Sequence, residues 1–228
     1  MKIETLKERL NKELKKTINP LMDSVGVNEF NSFINFVLSN HSGSNVLDVG
    51  GGRGKTFDNK KVNYYVLDIN SHNDKSFIEG DITDPDLEIG KKFDVIITKD
   101  TFEHILNPWD ATENVTKHLN ENGIFICIAP FSWRFHPSPY DAYRYSHQGL
   151  KYLFEHKGKL QEVGSGYIHY HSNVRGFWKN RCDWWPHASN NYQNCVCSFY
   201  VGQKKEDYVF DRSKIKGDFS IKHEEMPE

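Results

Sequence analysis

Residues 46–54 read Val-Leu-Asp-Val-Gly-Gly-Gly-Arg-Gly. Val46, Leu47 and Val49 make a short apolar strand that carries one carboxylate, Asp48. Gly50, Gly52 and Gly54 then follow at alternate positions. A strand that ends in glycines lets the backbone turn sharply and approach a ligand closely, because no Cβ intervenes. The next apolar run, Tyr64-Tyr65-Val66-Leu67-Asp68, ends in an acid twenty residues after Asp48. That places a second carboxylate at a strand tip, where it can accept hydrogen bonds from ribose hydroxyls.

The rest of the chain alternates strand and helix. Strands are expected at 45–49, 64–68, 76–78, 93–98 and 123–129. The continuous apolar runs Phe93-Asp94-Val95-Ile96-Ile97-Thr98 and Gly123-Ile124-Phe125-Ile126-Cys127-Ile128-Ala129 suit strands buried on both faces of a parallel sheet. Asn107 and Pro108 start a helix as N-cap and first helical residue, and Asn122-Gly123 is its expected stop. Ser146 caps another helix, which runs to about 156 before Gly158. Ahead of the first strand, Ile3, Leu6, Leu10, Leu14, Ile18 and Leu21 recur at helical spacing and predict one helix ending near Pro20. A second helix is expected over 28–39. Both either pack on the sheet or form a lid over the ligand. Two further strands are expected at 160–170 and 195–202, separated by a long Trp-, Asn-, Arg- and His-rich segment.

The predicted fold is therefore α/β: a Rossmann-like, doubly wound, mostly parallel seven-stranded sheet with an antiparallel last strand, plus N-terminal helices. The expected organisation is a helical cap at 1–40, the sheet domain at 41–203 and a polar, flexible tail at 204–228, in which Tyr208-Val209-Phe210 can dock. With 228 residues, one core is the default. The 29 basic and 31 acidic residues nearly cancel, which argues against bulk nucleic acid as a partner. No apolar run is long enough to span a membrane. The charged N-terminus is not a secretory signal. Four cysteines are too few for a disulfide scaffold, so the expected compartment is the reducing cytoplasm.

Two clusters carry candidate chemistry beyond the ends of the fourth and fifth strands. The first is Glu103-His104, which either supplies a base or only holds its loop. The second is the run 131–145, with Trp133, Arg134, His136, Asp141, Tyr143 and Arg144 among its residues. Two prolines stiffen it. Its rings and guanidiniums suit a polar or anionic acceptor. Asp141 and Arg144 either serve that ligand or pair with each other as a clamp. His136 is the first candidate for a general base, with His104 and Asp141 as the other catalytic candidates; Trp133, Arg134, Tyr143 and Arg144 are the substrate-binding candidates. His169, His171, Cys182, His187, Cys195 and Cys197 do not follow a standard zinc spacing, and no metal is assigned. Trp178, Trp184 and Trp185 form either a pocket wall or a dimer patch.

Taken together, these residues resemble the class I S-adenosylmethionine-dependent methyltransferases, most closely the methyltransferase type 11 group, over roughly 44–158. The glycine motif matches Asp48, Gly50, Gly52 and Gly54. The ribose-binding acid matches Asp68. The acid near the adenine matches Asp81 in Glu79-Gly80-Asp81-Ile82. The strand-four motif matches 93–104, including the Glu-His pair. The resemblance implies S-adenosylmethionine as cofactor, held by Asp48, Gly50, Gly52, Asp68, Ile69, Asp81, Ile82 and Lys99. A nicotinamide enzyme would space its glycines differently, and Asp48 would repel a pyrophosphate. One departure stands out: only fourteen residues run from Gly54 to Asp68, so the usual crossover helix must be very short. The expected activity is methyl transfer to a hydroxyl of a small polar acceptor, such as a sugar or nucleotide-linked sugar. N-methylation of a small amine and a non-catalytic binding module are the alternatives. A homodimer stays open.

Overall fold

The computed structural model describes residues 1–13, 15–16, 23–52, 57, 59–70, 73–169 and 195–211. In chain order these form α1 (Ile3–Glu13), β1 (Lys15–Lys16), β2 (Asp23–Gly26), α2 (Val27–Ser39), β3 (Asn45–Val49), β4 (Asn63–Asp68), β5 (Phe77–Glu79) and β6 (Phe93–Lys99). A 3₁₀ turn (Phe102–His104), α3 (Pro108–His118), β7 (Leu119–Pro130) and α4 (His147–Tyr152) follow. A π-helical turn (Leu153–Lys157), β8 (Leu160–His169) and β9 (Cys195–Lys204) complete the order. One sheet joins all nine strands in the order β1-β2-β8-β9-β7-β6-β3-β4-β5. Seven of them, from β8 to β5, are the predicted strands, and β1 and β2 extend the sheet beyond β8. The central pairings are parallel. β9 runs antiparallel to both β7 and β8, as the sequence predicts.

Alternation along each strand divides the core into two layers. Val46, Val95, Ile97, Ile124, Ile126 and Ile128 face α1 and α2, where Leu6, Leu10, Phe30, Phe33, Ile34 and Val37 are buried. Leu47, Val49, Ile96, Phe125, Cys127 and Ala129 face Ala111, Val115, Leu150 and Phe154 on the other side. Each fully buried Phe or Ile contributes about 1.5–3 kcal/mol, so both helical layers are held chiefly by apolar burial. The two N-terminal helices thus pack on the sheet.

Three boundaries differ from the sequence reading. The first helix stops at Glu13, and Lys15–Lys16 instead pair antiparallel with β2. Leu14, Ile18 and Leu21 lie outside the described residues. Helix α3 ends at His118 rather than at Asn122-Gly123. Phe93 pairs with Leu119 while Val95 pairs with Ile124, so β7 begins early and holds a bulge at which Asn122 has φ of 63°. The Lys204 ammonium donates to the carbonyls of Thr116 and Leu119 and ends the helix from outside it. Strand β9 takes in Lys204, the first residue of the expected tail, and beside it Gln203 is buried and donates to the carbonyls of Met1 and Asn122. Beyond it the Tyr208 hydroxyl donates to Glu155, and Phe210 packs edge-on against Tyr152 and His156.

The short connection from β3 to β4 holds no helix among the described residues. A relay of hydrogen bonds fixes its end: the Phe57 amide donates to the Tyr64 hydroxyl, which donates to Asp48 at 2.9 Å. Above Asp48, Gly50 and Gly52 both have positive φ, +74° and +58°. A Cβ on Gly50 would lie 2.4 Å from the Thr101 side chain, whereas one on Gly52 would meet nothing within 4 Å among the described residues. Gly50→Ala should therefore cost about 2–5 kcal/mol, combining about 1–2 for the left-handed backbone with about 1–3 for overpacking. Gly52→Ala should cost only the backbone part. Urea unfolding of both variants checks this, and equal losses would contradict the contact with Thr101.

Candidate active site

The carboxyl ends of β3, β4, β6 and β7 open on one edge, which is where ligands meet parallel sheets. Asp68, at the tip of β4, accepts hydrogen bonds from the Gly52 amide (3.0 Å) and from the Asn70 amide (2.9 Å) and side chain (3.0 Å). It thereby ties the glycine loop to the second strand. Ile69 beside it is 60% exposed, as a residue awaiting a flat apolar ligand would be. Asp81 is exposed and accepts from the amide and hydroxyl of Thr83. Asn114 holds the same turn by donating to the carbonyls of Ile82 and Asp84. Asp48 is fully buried beneath the glycines, and a Cβ on Gly51 would lie 2.7 Å from its carboxylate. Its place is therefore under the loop, which it supports. Lys99 pairs with Asp100 at 3.7 Å at the end of β6.

After β6 the chain is pinned before it reaches its reactive residues. Asp100 takes φ of 53°, and its amide donates to Ile128. The Thr101 hydroxyl reaches the carbonyls of Val49 and Lys99. Phe102 is buried against Phe125 and Phe154. Glu103 follows directly, and its carbonyl receives the amides of Ala142 (2.7 Å) and Tyr143 (3.2 Å). The two clusters that the sequence holds apart are thus one cluster. The His104 and His136 rings meet at 5.0 Å between centroids, nearly perpendicular. Nε2 of each lies 3.6 Å from Oε1 of Glu103. Nδ1 of His104 faces the Tyr140 carbonyl, and Nδ1 of His136 faces the Arg134 carbonyl at 2.9 Å. Carbonyl oxygens only accept, so each Nδ1 carries the hydrogen, and in the neutral ring each Nε2 presents its lone pair toward Glu103.

Glu103, which the sequence offers only within the Glu103-His104 pair, stands at the centre of the cluster. Its side chain is fully buried, and neither carboxylate oxygen has a hydrogen-bond partner among the described residues. Its neighbour in the Glu-His pair was the available signal; its burial was not, because Phe102 and the 131–145 loop create it from a distance. Burial pushes its carboxyl up from the ordinary value.

Asp141 and Arg144 take the clamp arrangement. The guanidinium grips both carboxylate oxygens through its two terminal nitrogens, with Nη2 2.7 Å from Oδ2. It also donates to the carbonyls of Trp133, Arg134 and Tyr143. The Asp141 carboxylate in turn accepts from the His136 amide at 2.6 Å and lies 3.5 Å from its Nδ1. Arg144 holds the Asp141 carboxyl well below the usual range. The sequence assigned Arg144 to substrate binding and Asp141 to catalysis; here Asp141 orients His136, and Arg144 fixes Asp141 and three carbonyls of the loop. Trp133 is partly buried against the core, and Arg134 is exposed. The Tyr143 hydroxyl donates to Leu106. Phe135 and Tyr140 stand out from the loop, 73% and 55% exposed, ready to stack on a ligand. His171, Cys182, His187, Trp178, Trp184 and Trp185 lie outside the described residues. Cys197 is buried in β9.

A buried carboxyl with a raised pKa makes the folded chain bind more protons than the unfolded chain. Its contribution to stability therefore falls as pH rises from the ordinary carboxylate range through the folded value. Glu103→Gln removes that charge, and its amide can donate toward Nε2 of either histidine. Measured with a chelator present, the variant should gain about 1–3 kcal/mol at neutral pH, the usual penalty of an unpaired buried group. The gain should vanish at acid pH, below the ordinary carboxylate range. A thermal melt series across pH checks this; a loss of stability at neutral pH would show that the carboxylate is already compensated.

The profile of a family described as a methyltransferase domain matches residues 26–202. No curated protein matches the sequence. Among solved structures, the chain is similar to the 1,6-didemethyltoxoflavin-N1-methyltransferase of Burkholderia thailandensis, with TM-score 0.55 and 13% identity over 77% of this chain and 76% of that one. It is also similar to a SAM-dependent methyltransferase from Methanosarcina mazei, with TM-score 0.52 and 11% identity over 74% and 97% of the two chains. A third, an S-adenosylmethionine-dependent methyltransferase from Clostridium acetobutylicum, gives TM-score 0.50 and 16% identity over 77% and 90%. Identities this low establish the shared fold; the family rests on the profile, which covers most of the chain. The strand-end residues are compatible with such a cofactor: among the described residues nothing crowds a Cβ on Gly52, Asp68 presents a carboxylate at the β4 tip, and Ile69 offers an exposed apolar face. The chain belongs to the methyltransferase-domain family, an enzyme of class I whose cofactor is S-adenosylmethionine.

Proposed function

We propose that the enzyme methylates a hydroxyl of a small polar acceptor, such as a sugar or nucleotide-linked sugar. The observation that carries this reading is the convergence of Glu103, His104 and His136 beyond β6 and β7, with lone pairs facing inward. A hydroxyl is a poor nucleophile until its proton leaves, and this cluster is a proton acceptor in place to take it. The near balance of charge supports a small acceptor over bulk nucleic acid. No helix among the described residues is long and apolar enough to cross a membrane.

In this mechanism Asp68, Ile69, Asp81 and Ile82 would hold the nucleoside part of the cofactor, and the glycine loop, supported by Asp48, and Lys99 would hold its methionine part. When bound, S-adenosylmethionine would supply a methyl carbon activated by its sulfonium, with the neutral thioether as leaving group. Phe135, Tyr140, Trp133 and Arg134 form the acceptor wall. Nε2 of His136 takes the hydroxyl proton as the oxygen attacks in line. The imidazolium so formed lies between two carboxylates, Glu103 at 3.6 Å and Asp141 at 3.5 Å, which stabilise it and hold its ring.

Titration calorimetry should detect S-adenosylmethionine binding, with Asp68→Ala weaker by about 2–4 kcal/mol for the loss of two charge-assisted hydrogen bonds. An unchanged affinity would move the ribose site elsewhere. A panel of sugars, nucleotide sugars and small amines, followed by S-adenosylhomocysteine release, tests the acceptor class; turnover with amines alone would overturn the hydroxyl reading. With an active acceptor, His136→Ala should lower kcat by about 10²–10⁴ and leave cofactor affinity near that of the wild type. Normal kcat in that variant would transfer the base to His104.

A further inference from the structure

Three potential ligand atoms converge beyond β6. Oε1 of Glu103 stands 3.6 Å from Nε2 of His104 and 3.6 Å from Nε2 of His136. One ligand atom from each of these residues lies within 4.8 Å of the others. At 3.6 Å the contacts are too long for hydrogen bonds. They are close to the about 3.4 Å edge of a tetrahedron built on metal–ligand bonds of about 2.0–2.1 Å. The carboxylate is buried, and neither of its oxygens has a hydrogen-bond partner among the described residues. Something positively charged or hydrogen-donating has to satisfy this group, because a buried ion without compensation is costly.

We propose that Glu103, His104 and His136 bind a first-row divalent cation of the zinc class. Two imidazoles and one carboxylate are a donor set of this class, and the imidazoles disfavour the hard cations calcium and magnesium. The surroundings match what metal-binding histidines require. Each Nδ1–H is engaged by a backbone carbonyl, Tyr140 for His104 and Arg134 for His136, which fixes the tautomer and the ring plane. The Arg144 clamp sets Asp141 against the His136 amide, and the Glu103 carbonyl anchors the returning loop through Ala142 and Tyr143. The three donors therefore come from two segments, each fixed in place. Three protein ligands leave coordination positions for an acceptor oxygen, whose hydroxyl the cation would make more acidic; with the cation bound, Nε2 of His136 is a ligand, so the cation and not His136 would activate the hydroxyl, and its proton would leave to solvent. This use, unlike the binding itself, rests on the hydroxyl reading above.

Full-length protein, stripped with a chelator, is titrated with cobalt(II) chloride while its visible spectrum is recorded, and zinc affinity is measured by competition. The proposal expects one equivalent of cobalt with an intense low-symmetry spectrum. Glu103→Gln, His104→Ala and His136→Ala should each weaken binding by more than the about 10–100-fold that loss of an outer partner costs. His41→Ala should bind as the wild type does: its Nδ1 also faces a carbonyl, that of Val37, but it is no part of the cluster. Melting curves identify any variant that fails to fold, and Glu103→Asp then replaces Glu103→Gln. Cobalt that keeps its aqueous spectrum overturns the proposal. So does a spectrum that survives the His104→Ala/His136→Ala double variant, or one with thiolate charge-transfer bands. Calorimetry with S-adenosylmethionine on the same stripped protein reports the methyltransferase reading separately, so a failure of either is recognised as its own.

Discussion

Thr101 occupies the space that Gly50 leaves by lacking a Cβ, and both halves of the site depend on that contact. A Cβ there would fall 2.4 Å from the threonine side chain. The Thr101 hydroxyl spans the ends of two adjacent parallel strands, reaching the carbonyl of Val49 on β3 and of Lys99 on β6. On the β3 side lies the loop that follows the cofactor. On the β6 side Phe102 enters the core and turns Glu103 and His104 toward the edge. A shift at this one junction moves the cofactor loop and the proton-accepting cluster together. The glycine thus sets the spacing between the ends of β3 and β6 as well as making a turn.

The second support is remote from the cofactor. Arg144 spends its guanidinium on Asp141 and on three backbone carbonyls of its own loop. That curls 131–145 back so that Ala142 and Tyr143 can dock on the carbonyl of Glu103. His136 meets Glu103 only because of this fold-back. The charged pair is therefore structural in what it touches and functional in what it positions. Removing Arg144 would leave Asp141 buried without its counter-ion beside His136, a more damaging change than the loss of one surface contact.

The parts of this architecture readable in advance are those governed by neighbours in sequence. The strand 45–49 and its glycines, the Asn107-Pro108 helix start and the Ser146 cap obey local rules, and the side chains of Asn107 and Ser146 do accept the expected amides. The end of α3 was not local. Asn122-Gly123 has the letters of a helix stop, yet a distant lysine, Lys204, and the pairing of Leu119 with Phe93 end the helix earlier. The first helix was overextended for a similar reason: its periodicity continues past Glu13, but pairing with β2 takes the following backbone. At the site, the places of Asp68 and Asp81 at the strand ends could be read from their spacing after strands. The union of Glu103 with His136 could not, because it depends on how a long loop returns across the sheet edge.

Glu103 joins stability and function. A buried carboxylate without partners weakens the fold, and the chain tolerates it beside two imidazoles whose lone pairs cannot relieve it. An apolar residue there would pack against Phe102 and the loop with no such penalty. The cost makes physical sense if the cluster is completed during the working cycle, by a proton taken from the acceptor or by a cation. Either one places positive charge among Glu103, Asp141 and the two imidazoles, turning the least favourable contact of the resting fold into a favourable one. In both cases the carboxylate is held ready and dry by Phe102 beneath it and by the clamped loop above, so little reorganisation remains when the charge arrives.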